Sequence, residues 1–381
     1  MHVLWTPSWY PDASAPLNGS FFVEQQRALQ AAGMQVGTLC VSPQPFTHFR
    51  GARLRFDPTF SAYHMDMITA PRGAVPGELV ALGAGLRRFA QQYERRWGIP
   101  DVIHAHSVFP GIFAAMGLAK IWDVPFGLTE HRPSTLHSHH NFRGRSIAQA
   151  VHRAAFVATV SAPFAELLTE KYGREFAVID LPVPGNFFSA PAKDNPWPSA
   201  RFLHVSHVDE NKRVGATLEA FSQVVRCYPN AHLDIVGGVQ GAVAKLSELS
   251  AALGVADNVS LHGSVPRDQI GKFFAGADYF VLFSAVEAGG TVLAEAQSMG
   301  LATIASATFA GKHMVDQQFG KVVPVDDVDA LAEAMCALVV AKKLGKASSK
   351  TEIIAQNRPR FSMETFARRQ CEIYRDATGA N

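Results

Sequence analysis

Glu287 and Glu295 bracket two glycines, Gly289 and Gly290, and the apolar helical pattern that opens after them at Thr291-Val292-Leu293. Glycines permit backbone angles and close approaches that a side chain forbids. A helix starting near Gly290 would aim the amides of residues 290–293 at the space before it, where unsatisfied N–H groups and the helix dipole favour an anion. Glu295, about five residues into that helix, lies roughly 7.5 Å along its axis. A bare carboxylate beside a phosphate would be repelled, so Glu295 fits such a site by accepting hydroxyl hydrogen bonds, as an acidic residue does on a ribose. Glu287, in the preceding loop, could orient the hydroxyls of a sugar in the same way. The competing reading is two solvated carboxylates around an ordinary strand-to-helix turn.

A cation stands ready for the same anion. The apolar run 201–208 leads into Asp209-Glu210-Asn211-Lys212-Arg213, with Lys212 at the next helix start. The dipole there prefers a negative charge, and a phosphate ligand would repair that misfit. The plain alternative is a surface lysine. His207 ends its strand and could be held by its neighbours alone. His131 ends another, where a satisfied buried histidine is the competing reading. His104 and His106, two apart and so on one face of a strand, read as crevice lining. The segment 131–140 holds four histidines, but its proline and serines and the lack of nearby acidic or cysteine ligands favour a polar loop over a metal site.

These residues need a frame that delivers strand ends and helix starts to one place. A chain of 381 residues exceeds the ~100–200 of one domain, so two domains are expected. Short apolar runs alternate with helical patterns, the signature of βαβ units and parallel sheets. Strands are expected at 2–8, 34–41, 101–106, 125–130, 155–160 and 177–181, then at 201–208, 232–237, 259–263, 278–283, 301–306 and 321–325. Helices are expected at 20–32, 78–97, 110–121, 162–172, 212–227, 241–253, 267–275, 290–299 and 327–342. Five prolines between Pro182 and Pro198, without periodicity, mark a linker. The expected organisation is an N-terminal acceptor-side domain at 1–183, a linker at 184–199, a C-terminal donor domain at 200–360, and a helix at 361–381 packing back on the first domain. Two such doubly wound sheets would bind ligands in an interdomain crevice at the carboxyl ends of their strands.

Composition narrows the class. Charged residues make up 18% and the formal charge is +2, so nothing marks a nucleic-acid partner. The four cysteines, Cys40, Cys227, Cys336 and Cys371, lack metal or redox spacing. The start lacks a basic leader with an apolar run, and no stretch reaches the ~18 apolar residues of a membrane span, so a cytoplasmic location is expected. A peripheral contact with the inner face of a membrane remains open. The arginines and aromatics of 86–97 could rest on an anionic surface or form a solvated face over a buried seam, and Arg50, Arg53 and Arg55, in a loop near Phe56, could receive an anionic acceptor or stand in a solvated loop.

The row Ser284 to Ser306 resembles the E-x7-E block of the retaining glycosyltransferase family 4, and Phe202 through Lys212 resembles its strand–loop–Lys block. The resemblance extends to the first glycine loop at Asn18-Gly19-Ser20-Phe21-Phe22-Val23 with Gln25, and to the strand ends at Asp101–His106, Thr129–His131 and Val157–Ser161. It implies the GT-B fold of two Rossmann-like domains. It implies that Glu295 holds the nucleotide ribose and Glu287 the donor sugar, and that Lys212 with the amides of Thr291, Val292 and Leu293, after Gly290, holds the diphosphate. His131 would approach the sugar, and Gly19 would admit backbone amides to the donor phosphate or acceptor. His207 stands, after Ser206, where the family usually has Gly-Arg, and Leu181 where an Asn is common.

The activity so implied is a retaining, metal-independent hexosyl transfer from a nucleotide-diphosphate sugar, with no cofactor, to a glycan or lipid-linked acceptor in polysaccharide biosynthesis. Two alternatives stay open on the residues alone: a nucleotide-sugar epimerase of the same architecture, and a non-catalytic nucleotide- or glycan-binding protein.

Overall fold

The apolar runs become two sheets, each wound with helices, in a computed structural model that describes residues 1–16, 18–45, 53–69, 76–137, 142–189 and 194–379. The chain divides into two units, residues 1–179 with 366–381, and residues 180–365.

The first unit follows the order β1 (His2–Pro7), α1 (Ser20–Ala31), β2 (Gln35–Pro45), β3 (Leu54–Asp57), β4 (Ala62–Thr69), α2 (Pro76–Trp97), β5 (Val102–His106), α3 (Gly111–Trp122), β6 (Phe126–Glu130), α4 (Phe142–Arg153), β7 (Phe156–Thr159), α5 (Ala162–Tyr172) and β8 (Ala177–Val178). Its sheet runs β3-β4-β2-β1-β5-β6-β7-β8. Every pairing is parallel except β3 with β4. Strands β1, β5 and β6 are buried along their whole length, as central parallel strands covered on both faces must be.

The second unit carries β9 (Ala200–Val205), α6 (Val214–Cys227), β10 (Ala231–Val236), α7 (Gln240–Ala252), β11 (Val259–Leu261), α8 (Arg267–Gly276), β12 (Tyr279–Leu282), α9 (Thr291–Ser298), β13 (Ala302–Ser306), α10 (Phe309–Met314), β14 (Lys321–Val323), α11 (Val328–Lys343) and α12 (Lys350–Asn357). Its sheet, β11-β10-β9-β12-β13-β14, is parallel throughout. Leu218, Phe221 and Val224 of α6 stack at helical spacing into the core that also takes Phe202, Tyr279 and Met335. The last helix, α13 (Met363–Thr378), returns to the first unit, where the buried Tyr374 hydroxyl accepts a hydrogen bond from the Trp5 indole at 3.0 Å.

Several expectations change, and for α2 the alternative of a solvated face over a buried seam holds. The proline-rich stretch is not a free linker, because its described part packs into the second unit: Phe187 is buried with its ring 5.2 Å from Phe274, and Asn195 bonds Gly276 O and Asp278. The chain passes between units near residue 180 instead. Strands β3 and β4 and helices α4, α10 and α12 were not expected. Arg55 therefore lies on an edge strand, 3.8 Å from Asp66, while Arg50 falls outside the described residues. In α2 the aromatics Phe89 and Tyr93 are core residues, which leaves Arg87, Arg88, Arg95 and Arg96 as the outer face. Among the described residues no helix is long and apolar enough to cross a membrane.

Candidate active site

In the second unit, β9 is flanked by β10 on one side and β12 on the other, so the winding direction switches between β9 and β12. Ligands of open α/β sheets bind at that switch, beyond the carboxyl ends of the strands. The loops that leave β9 and β12 carry Lys212 and Glu287, and the structure ties them together. Asn211 is the clasp: its carbonyl oxygen accepts from Ala285 N at 2.8 Å, its side-chain oxygen from Val286 N at 2.9 Å, and its amide donates to Val286 O at 3.0 Å. Beside it the Lys212 ammonium pairs directly with the Glu287 carboxylate, both side chains mostly covered. Lys212 ends a short 3-10 turn capped by Asp209, two residues ahead of α6.

The loop after β12 then runs into α9. Gly290 adopts a left-handed φ of 58°, and a Cβ there would lie 2.8 Å from Ala310 and 2.9 Å from Leu293. Any larger residue is excluded twice, by backbone angle and by space. Leu293 departs from expectation, because its amide already donates to Gly290 O at 2.8 Å. The helix start therefore offers an anion the amides of Thr291 and Val292, in the first turn where intrahelical acceptors are lacking. Glu295 sits one turn deeper, only 2% exposed, and pairs with Arg267 of α8.

Arg267 is the residue that motif reasoning passed over. It follows Pro266 at the first position of a helix, the same misfit of a cation with a helix start that singled out Lys212. Ser206 also finds a role. The His204 ring must donate from Nδ1 to Val281 O at 3.0 Å, so its Nε2 accepts from Ser206 Oγ at 2.8 Å, and Ser206 Oγ accepts from Val208 N at 3.0 Å. Burial above all lowers the His204 pKa to about 4, which keeps the ring neutral. The serine thus stabilises the loop where Val208 takes a positive φ of 56°. His207 is exposed in that same loop.

In the first unit the switch falls between β1 and β5, where β2 and β5 flank β1. Ser8, just past β1, is bonded to the neighbouring loop through Ser8 N to His106 O at 3.0 Å and Gly111 N to Ser8 Oγ at 3.0 Å. Gly19 and His131 meet here over shared aromatics. Gly19, with φ 78°, lies against Trp9, where a Cβ would come within 2.8 Å of the indole. The His131 ring lies 6.1 Å from Trp9 and 5.4 Å from Phe22, and Arg132 stacks 3.8 Å over Trp9. The Glu130 carboxylate holds the turn by accepting from Val108 N, His131 N and Arg132 N at 2.7–2.8 Å.

Behind His131 stand His106 and His104, which line no crevice: they are 2% and 0% exposed. Burial is the main cause that lowers all three pKa values, His131 to about 3 and the other two well below the ordinary range, and neighbouring charge adds to it. His106 Nδ1 lies 3.1 Å from His131 Nε2. Among the described residues no cluster of His, Cys, Asp or Glu is arranged to hold a metal ion, and the last histidines of segment 131–140 fall outside them.

Two Rossmann-like units, one with an anion-competent switch point, define the GT-B class of fold. Residues 19–182 match the family model of the glycosyl transferase 4-like domain, and residues 191–352 match that of the glycosyl transferases group 1. A Bacillus subtilis (strain 168) protein that carries the name teichuronic acid biosynthesis glycosyltransferase TuaC is 24% identical, with 88% of each chain covered. A D-inositol 3-phosphate glycosyltransferase of Frankia alni is 25% identical over 75% of this chain and 76% of that one. Among solved structures, Anabaena HepE in complex with UDP superposes with a TM-score of 0.73 at 16% identity, covering 98% of this chain and 99% of the other. A sucrose-phosphate synthase from Thermosynechococcus elongatus superposes with a TM-score of 0.71 at 18% identity over 100% of both. The chain belongs to the family-4-like glycosyltransferases of GT-B fold.

Proposed function

We propose that this glycosyltransferase moves a hexosyl group, with retention of anomeric configuration and without a metal, from a nucleotide-diphosphate sugar to a glycan or lipid-linked acceptor in polysaccharide assembly. The observation that carries the proposal is the Lys212–Glu287 pair at the sheet's switch point, beside the first amides of α9. A cation, two amides and a carboxylate suit the diphosphate and the hydroxyls of one donor. The TuaC relative, named for teichuronic acid, and HepE, solved with UDP, support the acceptor and donor classes.

In this reading the donor diphosphate takes the place of Glu287 on Lys212, and Glu287 turns to the sugar hydroxyls. Glu295 accepts from the ribose, Gly290 gives the backbone its close approach, and Thr291 and Val292 donate their amides. His131 and Gly19 serve the sugar and acceptor side, and exposed His207 serves the outer edge of the diphosphate site. The anomeric C–O bond breaks with its electron pair leaving on the diphosphate, and the acceptor oxygen bonds the same face of that carbon. The acceptor's proton passes to the departing phosphate oxygen. Catalysis then rests on positioning and on stabilising negative charge in the leaving group. A cytoplasmic enzyme, in peripheral contact with the membrane where the acceptor is lipid-linked, is part of the same proposal.

The test is a panel of nucleotide sugars with candidate acceptors, read by product formation and by the anomeric coupling in the product. Transfer that keeps the donor's configuration and is unchanged by a chelator is expected. Neither transfer nor slow donor hydrolysis, together with unchanged nucleotide binding by Glu295→Ala, would overturn the reading.

A further inference from the structure

The hydrogen bonds among the buried rings of the first unit have a direction, and it decides which nitrogen His131 presents. The Trp5 indole N–H can only donate, so at 3.0 Å the Tyr374 hydroxyl accepts from it. The Tyr374 O–H is then the donor to His104 Nδ1, 2.7 Å away, and His104 Nε2–H donates to Thr129 Oγ1 at 2.8 Å. His106 is wedged against this chain, its ring centroid 4.1 Å from His104 and 4.2 Å from Trp5. Its Nε2 is buried without a hydrogen-bond partner, and its Nδ1 faces His131 Nε2 at 3.1 Å.

Two neutral imidazoles at that distance share one proton. If His131 supplied it, His106 would carry its own proton on Nε2, an N–H buried among rings with nothing to accept it. If His106 supplies it, the orphaned atom is a lone pair instead. Either orphan costs desolvation, but buried N–H groups left without an acceptor are rarer than under-satisfied buried acceptors, which favours the second arrangement. We infer that His106 donates from Nδ1 to His131 Nε2 and so fixes His131 as the Nδ1–H tautomer, making His106 a positioning residue and His131 a hydrogen-bond donor. A ring held this way offers an N–H to an oxygen lone pair of a sugar hydroxyl or phosphate, and cannot take a proton from the acceptor at that atom. The consequence for transfer rests on the proposal that His131 meets the donor sugar; the tautomer itself does not.

The experiment is a nitrogen-15 spectrum of the intact protein labelled at histidine, with the His131 signals identified by their loss in His131→Gln. The expected pattern near neutral pH is a protonated Nδ1 and an unprotonated Nε2 at His131. The reverse pattern, or one averaged between tautomers, overturns the inference. His106→Asn, which puts an amide N–H where Nδ1 stood, should keep the pattern and most of kcat. His106→Leu should lose the pattern and lower kcat about tenfold, the worth of about one hydrogen bond. An unchanged His131 pattern in His106→Leu also overturns the inference. A tautomer that follows the substitutions while kcat does not move leaves the inference standing and removes His131 from the sugar site.

Discussion

The two switch points share a topology and differ in chemistry. In the second unit the loops past β9 and β12 carry opposite charges that satisfy one another, Lys212 with Glu287, and deeper the start of α8 and the body of α9 add Arg267 with Glu295. In the first unit the loops past β1 and β5 meet mainly neutral rings, Trp9, Phe22, His106 and His131, with the histidines held uncharged by burial and the Arg132 guanidinium stacked over Trp9. Doubly wound sheets offer a binding place at such a point whatever the ligand, and the side chains there decide what it receives. Charge pairs that a ligand can replace suit a diphosphate, and a neutral aromatic wall suits a sugar ring and hydroxyl donors.

Substitutions in the charged site should cost most. Lys212→Ala should lower kcat/KM about 10²- to 10³-fold, as does loss of one preorganised group that stabilises charge in a transition state. A loss below about threefold would show that the amides of Thr291 and Val292 suffice. Glu295→Ala should raise the donor KM about tenfold or more with kcat largely kept, because a ribose contact is made equally before and during transfer. Steady-state kinetics with a donor lacking the ribose hydroxyls sharpens this: wild type and variant should then behave alike.

The neutral site should show itself through acid. The folded pKa values of His104, His106 and His131 lie below the unfolded value, so their contribution is complete above about pH 6.5 and fades as pH falls through that value toward the folded ones. Each group that stays neutral makes the slope about 1.4 kcal/mol per pH unit in that window. Glu130, raised by burial, works in the opposite sense above about 4.5. Hydrogen exchange between pH 7 and 5 should therefore weaken β1, β5 and β6 before the core of the second unit, where His204 is the fully buried histidine among the described residues. Equal weakening of both units would dissolve the contrast. Smallest is His207→Lys, which should raise donor affinity by a few-fold at most, the scale of an exposed charge.

The contrast was half legible in the sequence. Gly290 and Lys212 stand out because each departs from a local preference that a tight turn or a ligand repairs, Glu287 because it stands beside Gly289 and Gly290, and the central strands read clearly because apolar runs leave little choice. Leu293 was misjudged because the first turn of a helix is tighter than a count of lacking acceptors suggests. Arg267 carried the same signal as Lys212 but without a motif around it. The β3–β4 ribbon escaped because Arg55, His64 and Asp66 alternate with apolar residues, so it holds no continuous apolar run of the kind that marks the buried parallel strands, and α10 because six residues are too few for a period. His104 and His106 looked like site lining because spacing reports a shared face and not its burial; Tyr374, far along the chain, covers His104, and Trp5 and Phe22 cover His106.

Calorimetric titration of nucleoside diphosphates, with and without a chelator, into wild type and Lys212→Ala is the most direct measurement of the charged site. One diphosphate should bind wild type independently of metal, and at least about tenfold more weakly to the variant. Equal affinity in the two proteins, or binding that vanishes with the chelator, would contradict the assignment of the donor diphosphate to Lys212 and the start of α9.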